Sequence, residues 1–347
     1  MSRPRHDWAG HTGASTAERY RVFADAGTAK LSPTYARLAL GVVDDPEVLA
    51  RLDELPVEKR QPNLLFAATR FLGGPLEAYA IFREWVLARW DEVGPIVASR
   101  RTQTNEPGRT ATLVPALAGI EGPIALLEVG ASAGLCLFPD RYAYTYRAAT
   151  GEHRLGDSTV ELPCRLDGAI DAPARLPDVV WRAGLDLNPL DVTDEADVRW
   201  LECLIWPEET ERFARLRAAV AIARAESSPP EAPPRAGGPP LRIVRGDLLT
   251  DTAALAAQAP GEATLVLFHT AVLAYLDVAG RHAWAEVVRA IAAQRPVVWL
   301  AQEAPGVITA VPDSWALRGV DGPFVLSRDG APLALVESRG RCGHWYA

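Results

Sequence analysis

The sequence predicts an α/β protein with a mostly parallel sheet, an N-terminal helical layer and a β-rich insertion. Three observations predict it. A short apolar run, Ile124 to Leu127, ends in Glu128, and a turn of small residues follows, Gly130-Ala131-Ser132-Ala133-Gly134, before the chain becomes apolar again at Leu135. That pattern is a strand, a tight turn and a helix start. Further apolar runs at Val179, Leu241, Ala263 and Val297 alternate with stretches of helical spacing, as strand–helix units with parallel pairing do. The chain before Pro123 reads as helices.

Residues 1–14 read as a frayed end, and the helical layer spans 15–118. Ser15 and Glu18 form a capping box ahead of Tyr20, Val22 and Phe23. Ser32-Pro33 and Asp45-Pro46 open the second and third helices with proline in the first turn. Gln61-Pro62-Asn63 leads into LLFAATRFL, and Pro75 precedes a helix carrying Tyr79, Phe82, Trp85 and Trp90. Between helices, Arg100 to Arg109 reads RRTQTNEPGR, polar or turn-forming throughout. It offers Gln103, Asn105, Glu106 and Arg109 to a ligand at the mouth of a site, or it stitches the helical layer to the core.

The α/β core is expected over 119–347. Residues 139–177 form the β-rich insertion, where Tyr142, Tyr144 and Tyr146 alternate as one packed face does and Gly156-Asp157 turns between alternating stretches. Val179 to Asp191 is the second core strand, with Asp186 near its carboxyl end and Asn188-Pro189 turning the chain. Asp191 to Ala225 has helical spacing broken by Pro207. Residues 227–240, SSPPEAPPRAGGPP, form a Pro-rich loop. LRIVRGDL at 241–248 is the third strand, ending in Gly246-Asp247. ATLVLFHT at 263–270 is the fourth, continuously apolar with His269 at its end. Trp284 to Ile291 is the next helix, and VVWLAQ at 297–302, followed by Glu303, is the fifth strand. Phe324 to Arg328 and Leu333 to Glu337 close the chain as a hairpin about Asp329-Gly330.

Composition narrows the function. The net charge of −8 argues against the basic face that nucleic-acid binding requires. Cys136, Cys164, Cys203 and Cys342 form no C-x-x-C pair and no zinc-like spacing with histidine, so no metal is expected and the thiols read as reduced, in a cytoplasm. Residues 1–13 lack an apolar h-region and predict no signal peptide. The longest apolar run, Ala263 to Leu276, contains His269 and is too short to span a bilayer.

The turn at 130–134 fits more than one motif. A dinucleotide fingerprint would need glycines at 130, 132 and 135, and Ser132 and Leu135 break it. The methyltransferase pattern, acid-x-G-x-G-x-G, matches Glu128, Gly130 and Gly134, with Ser132 at the middle place. The nucleophile elbow, G-x-S-x-G, matches Gly130, Ser132 and Gly134 in full. A hydrolase elbow follows several strands and an upstream oxyanion loop, whereas this is the first core strand. Asp186 ends the second strand, where nucleoside-binding folds place an acid on the ribose hydroxyls. It lies 58 positions after Glu128, against a usual separation of about 20, so the insertion must be looped out.

The combination resembles a widespread bacterial family known only as a domain of unknown function. The resemblance runs through QPNLLFAA at 61–68, RRTQTNE at 100–106, LLEVGASAGL at 126–135, DLNPLDV at 186–192, RWLECLIWP at 199–207 and FHTAVLAYL at 268–276. It implies a Rossmann-like, methyltransferase-type core and no established reaction. Members usually carry a P-H-G turn before a tryptophan; this chain has Ser338-Arg339-Gly340, with His344 beside Trp345.

The favoured reading is a methyltransferase that uses S-adenosylmethionine on a small acceptor rather than a protein, nucleic acid or membrane. Glu128, Gly130, Ser132, Gly134, Asp186 and Asp247 would hold the cofactor, with Asp247 on the adenine. His269, Glu106 and Glu303 are the candidate bases, and Gln103, Asn105 and Arg109 the candidate acceptor contacts. Two alternatives stand beside it. One is a serine hydrolase with Ser132, Glu303 and His344 in that chain order. The other is a non-catalytic ligand-binding or scaffold protein that keeps the fold.

Overall fold

The computed structural model describes residues 14–103, 105–227, 241–308, 315 and 323–346. The frayed end expected over 1–14 lies outside them but for Ala14, and the Pro-rich loop over 227–240 lies outside them but for Ser227. The chain divides into two compact units, Met1–Thr104 with Asp194–Ala214, and Asn105–Thr193 with Arg215–Ala347.

The first unit is helical. It contains α1 (Thr16–Phe23), a π turn at Ala24–Thr28, α2 (Ala29–Leu31), α3 (Pro33–Val43), α4 (Pro46–Asp53), α5 (Pro62–Phe71), α6 (Tyr79–Ala88) and α7 (Trp90–Ser99). The chain then gives α8 (Thr110–Ala118) to the second unit and returns with α9 (Glu195–Leu204). The starts are where the capping signals put them. Ser15 and Glu18 form the reciprocal box, and the Ser32 and Asp45 side chains accept from the first-turn amides of α3 and α4. Phe66 centres the core: the rings of Tyr20, Phe23, Tyr35 and Phe82 stand 4.8–6.2 Å from it.

The second unit is built on one sheet of eleven strands, β1 (Ile124–Val129), β2 (Ala143–Ala148), β3 (Gly151–Leu155), β4 (Glu161–Gly168), β5 (Val179–Asp186), β6 (Arg242–Arg245), β7 (Thr264–Thr270), β8 (Val297–Glu303), β9 (Phe324–Arg328), β10 (Ala331–Val336) and β11 (Cys342–Trp345). Their order is β3-β2-β4-β11-β10-β9-β8-β7-β1-β5-β6. The block β6-β5-β1-β7-β8 is parallel throughout. Numbered along the chain it reads 3-2-1-4-5, the order with which doubly wound sheets begin, and its reversal point lies between β1 and β7. α10 (Thr210–Glu226), α11 (Thr252–Ala256) and α12 (Val278–Ala292) complete the crossovers. All six residues of β1 are buried, as expected of a parallel strand covered on both faces. On the α12 side, Leu127, Val129, Leu265, Leu267, Trp284 and Val288 share one core.

The five core strands and the closing hairpin stand where the sequence puts them, and Asp329 and Gly330 turn that hairpin with φ of 52° and 80°. The alternating tyrosines form one packed face: all three rings are buried, and their hydroxyls donate to Leu135 O, Pro139 O and Ala111 O. Three details differ from expectation. No α-helix starts at Leu135; a single 3-10 turn, Leu135–Leu137, leads into the insertion. The insertion's tight hairpin joins β2 to β3 before Gly151, while Gly156-Asp157 separates β3 from β4, which pairs with β2 instead and in parallel. β11 was not expected. It pairs antiparallel with β10 and parallel with β4, joining the insertion to the core in one sheet.

Gly184, in the middle of β5, tests this packing. A Cβ there would lie 2.6 Å from both Ala131 Cβ and Ile243 Cδ1, whereas Gly261 has open space around it. Gly184→Val is expected to lower the denaturation midpoint by about 2–3 kcal/mol equivalent through overpacking. Gly261→Ala should leave it within about 0.5 kcal/mol. Urea unfolding followed by circular dichroism checks both.

Candidate functional site

The carboxyl ends of β1, β5 and β7 meet at the reversal point, where open α/β sheets place their ligands. The turn after β1 is held chiefly by hydrogen bonds from within the protein. Gly130 and Ala131 donate to Leu185 O at 2.7 and 3.2 Å, Gly134 donates to Ala131 O at 2.7 Å, and Leu137 donates to Gly134 O at 3.0 Å. Ser132 N–H donates to Asp186 Oδ2 at 2.8 Å. The Asn105 amide closes the remainder, donating to Ala131 O at 3.0 Å and accepting from Leu135 N–H at 2.8 Å. Ser132 sits at φ 53° with its Oγ buried and without a partner among the described residues. The left-handed region is strained for serine and is often found at functional sites.

Beneath the turn lies a buried polar cluster. Leu127 and Val129 face the α12-side core, so Glu128 between them points to the α8 side. Its carboxyl is 1% exposed, and Oε2 has no partner among the described residues. Burial pushes its pKa well above the ordinary carboxylate range; the Arg109 charge opposes this and the Asp186 charge adds to it. Arg109 Nη1 donates to Thr270 O and Oγ1 at 3.2 and 3.0 Å, and its Nε to Ser338 O at 3.0 Å. Glu106 Oε1 accepts from Gly108 N–H and from Arg215 Nε, at 3.1 and 3.0 Å. Cys136 is buried, and its thiol is pushed up by burial first, so it is an inert packing group. Arg182, fully buried, forks onto Asp140 at 3.1 and 2.9 Å and donates to Leu137 O at 3.0 Å, which anchors the chain leaving the turn to β5.

The structure brings two of the candidate bases together. His269 Nδ1 and Glu303 Oε1 are 2.7 Å apart, and Trp299 Nε1 lies 3.0 Å from His269 Nε2. An indole N–H only donates, so Nε2 accepts and Nδ1 carries the proton given to Glu303. Both ring nitrogens are therefore committed. The pair faces α12, where His269 packs against Trp284, while Thr270, the next residue, faces Arg109. Glu106 belongs to the Arg215 pair instead. The hydrolase arrangement is not assembled. Glu303 is bonded to His269, and His344 lies on β11, three strands beyond β8 in the sheet.

Of the candidate acceptor contacts, Asn105 and Arg109 hold the turn and the β7 end. Gln103 belongs to the helical unit. Asp186 stands beside the turn, with Oδ1 accepting from Asn188 N–H at 2.7 Å and Oδ2 from Ser132. Each carboxylate oxygen keeps a second lone pair for a ligand hydroxyl. Asp247 is exposed just past β6, the strand beside β5. Two contacts had no sequence signal, because the residues are apolar. A Cβ on Gly130, at φ 70°, would meet Val272 Cγ2 at 2.3 Å, and one on Gly134 would meet Ile243 Cδ1 at 2.6 Å.

With this geometry in hand, the chain is placed by comparison. It belongs to the bacterial family described as "Uncharacterized protein conserved in bacteria", DUF2332, matched over residues 17–345. No curated protein matches it. Among the described residues no helix is long and apolar enough to cross a membrane, and no group of three or more His, Cys, Asp or Glu could hold a metal ion.

Two variants test the cluster. Asn105→Ala leaves Ala131 O and Leu135 N–H buried without partners and should cost about 2–4 kcal/mol in chemical denaturation. Asn105→Asp, which sets an oxygen against the Ala131 carbonyl, should recover only part of that. Folded Glu128 keeps its proton to higher pH than the unfolded chain does. Its contribution to stability therefore falls as pH rises above the ordinary carboxylate range. Glu128→Gln is expected to be more resistant to denaturant than the parent at pH 8, with the difference shrinking toward pH 4.

Proposed function

We propose that this protein binds S-adenosylmethionine at the carboxyl edge of β1, β5 and β7 and transfers its methyl group to a small acceptor. The observation that carries the reading is the 2.8 Å hydrogen bond from Ser132 N–H to Asp186. It joins the acid ending the second core strand to the glycine turn ending the first, across the looped-out insertion. The 3-2-1-4-5 strand order, of the Rossmann type, supports the same reading.

In this reading Asp186 accepts from the ribose hydroxyls through the lone pairs it does not give to Ser132 and Asn188. Asp247, at the edge of β6, takes the adenine amino group. Gly130 and Gly134 let the backbone approach the methionine part, and Glu128, whose burial favours its protonated form, donates a hydrogen bond from beneath the turn. The cofactor supplies a sulfonium-bound methyl group, electrophilic enough that the protein's task is to set the acceptor in line. His269 has both ring nitrogens engaged by the fold, Glu106 Oε1 is held by Gly108 and Arg215, and Glu303 Oε1 is held by His269, Val272 and Leu273. The reading therefore favours an acceptor atom that needs no buried base, having no proton to lose or losing it to water.

Ser132 at φ 53° in a G-x-S-x-G turn favours a second reading, ester hydrolysis. It lacks a partner for the nucleophile, since the Oγ meets no base among the described residues.

Calorimetric titration with S-adenosylmethionine and S-adenosylhomocysteine separates the two readings. Saturable binding is expected, at least tenfold weaker in Asp186→Ala and within about threefold of the parent in Ser132→Ala. No saturation at millimolar ligand, in either the parent or Val272→Ala, would sink the cofactor reading. Hydrolysis of an activated ester that disappears in Ser132→Ala would install the second.

A further inference from the structure

The segment from Ala271 to Leu276, which leaves β7, is tied down along its length. Ala271 N–H donates to Gln302 O at 2.9 Å, and Val272 and Leu273 donate to Glu303 Oε1 at 2.9 and 3.0 Å. Tyr275 N–H donates to Val272 O and Leu276 N–H to Leu273 O, each at 3.1 Å. Arg281 Nε closes the far end, 3.0 Å from the carbonyl oxygens of Leu273 and Leu276. Leu273 is buried in the α12-side core, and Leu276 packs against the same core. In a 3-10 turn the side chains at i and i+3 eclipse, and these two leucines are such a pair. Val272 and Tyr275 are the other, so they share a side turned away from that core. Val272 faces the glycine turn, with Cγ2 2.3 Å from where a Gly130 Cβ would be. Tyr275 therefore stands on the turn's side of the segment. It is 71% exposed, the most exposed large apolar side chain among the described residues. A single exposed apolar residue is ordinary; this one is set apart by its rigid mount and its place beside the turn.

We propose that the Tyr275 ring is the platform on which the acceptor lies, and that the acceptor is a small planar heteroaromatic compound methylated on a ring nitrogen. The assignment rests on the cofactor reading above. In that reading the cofactor runs along the sheet edge from Asp247 past β6, through Asp186 at β5, to Gly130 at β1, and β7 is the next strand in that direction. The space left for the acceptor is thus at the exit of β7, where Tyr275 stands. A tyrosine face stacks on a planar ring and gains more than the burial of area alone. A ring nitrogen of the pyridine type also suits a site whose histidine is fully engaged, because it carries a lone pair and no proton. The lone pair forms a bond to the methyl carbon as the carbon–sulfur bond breaks, and the electrons of that bond go to sulfur. The sulfonium is left as a neutral thioether, the ring nitrogen takes the positive charge, and no proton is released. The charge then develops against an aromatic face, which attracts cations.

Equilibrium dialysis of the intact chain against quinoline at pH 8 tests the platform without any cofactor. Saturable binding is expected in the parent, about tenfold weaker in Tyr275→Ala and within about threefold of the parent in Tyr275→Phe, which keeps the ring. The urea midpoint of Tyr275→Ala should match the parent, since the ring is exposed. Affinity for S-adenosylhomocysteine, read by calorimetry, should stay within about threefold in both variants. With S-adenosylmethionine added, mass spectrometry should detect N-methylquinolinium, with KM for quinoline raised about tenfold in Tyr275→Ala and kcat within about threefold. No saturation by millimolar quinoline, or binding unmoved by Tyr275→Ala, would overturn the platform. Ring-dependent quinoline binding in a protein that S-adenosylhomocysteine does not saturate would support the platform and overturn the cofactor. Binding of both without N-methylquinolinium would overturn the ring-nitrogen acceptor.

Discussion

The second unit depends on one constraint: a buried turn at the end of a parallel strand must find an acceptor for each amide it exposes. A donor left alone there costs about 1–3 kcal/mol, and the turn from Gly130 to Leu137 presents several. β5 supplies two acceptors, Leu185 O and the Asp186 carboxylate, and Asn105 supplies another. Residues distant in the sequence are thereby tied to one loop. Arg182 extends the arrangement, fixing the chain after the turn through Leu137 O and Asp140. The insertion can then leave the core and return at β5 without disturbing the pairing of β1 with β5. The absence of an α-helix after the turn follows from the same arrangement. Tyr142 takes the Leu135 carbonyl through its hydroxyl, and Asn105 takes the Leu135 amide.

Much of this was legible from the residues, and the remainder was hidden for identifiable reasons. Strands buried on both faces announce themselves as apolar runs, so β1, β5, β7 and β8 could be read directly. Capping residues marked the helix starts because their chemistry is local. The displacement of Asp186 by a looped-out insertion could be inferred from its spacing. β11 could not be, since Cys342-Gly343-His344-Trp345 has neither alternation nor β-branched residues. It is a strand only because β10 and β4 present unpaired edges to it. The polar loop at Arg100–Arg109 divided two ways in the sequence, between ligand contact and stitching. Asn105, Glu106 and Arg109 hydrogen-bond within the second unit, and only three-dimensional placement distinguishes an amide facing a ligand from one facing a backbone. The contact of Val272 with Gly130 was invisible because an apolar side chain after an apolar strand reads as core.

The buried charges carry a second lesson. His269, Glu106 and Glu303 were candidate bases because acids and histidines at strand ends are where chemistry gathers. The structure gives each a hydrogen-bonding partner within the fold. A buried carboxylate with three donors on one oxygen, as in Glu303, is tied down electrostatically, and removing one member of such a network leaves the others uncompensated. Glu128 is the exception. It is buried beside one arginine and one acid, and the loss of hydration outweighs the attraction of Arg109. Burial favours the protonated form, in which a carboxyl is able to donate a hydrogen bond. An aliphatic residue would meet the same packing demand without that ability, which makes Glu128 the residue of the cluster least explained by stability alone.

The strand order and the filled turn fit together once magnitudes are compared. A doubly wound order places a ligand at the reversal point between β1 and β7, and Val272 occupies the space a ligand would take there. An obstruction present ninety-nine parts in a hundred weakens binding about a hundredfold, equivalent to about 2.7 kcal/mol. That is small beside the binding energy of a nucleoside-sized ligand, for which micromolar affinity corresponds to about 8 kcal/mol. Displacing the Val272 side chain alone is of that order, since burial of a valine is worth about 1.5–3 kcal/mol. Releasing the amides of Val272 and Leu273 from Glu303 as well would add about 1.5–3 kcal/mol for each, so a filled turn and a working site are compatible only where the backbone after β7 stays in place.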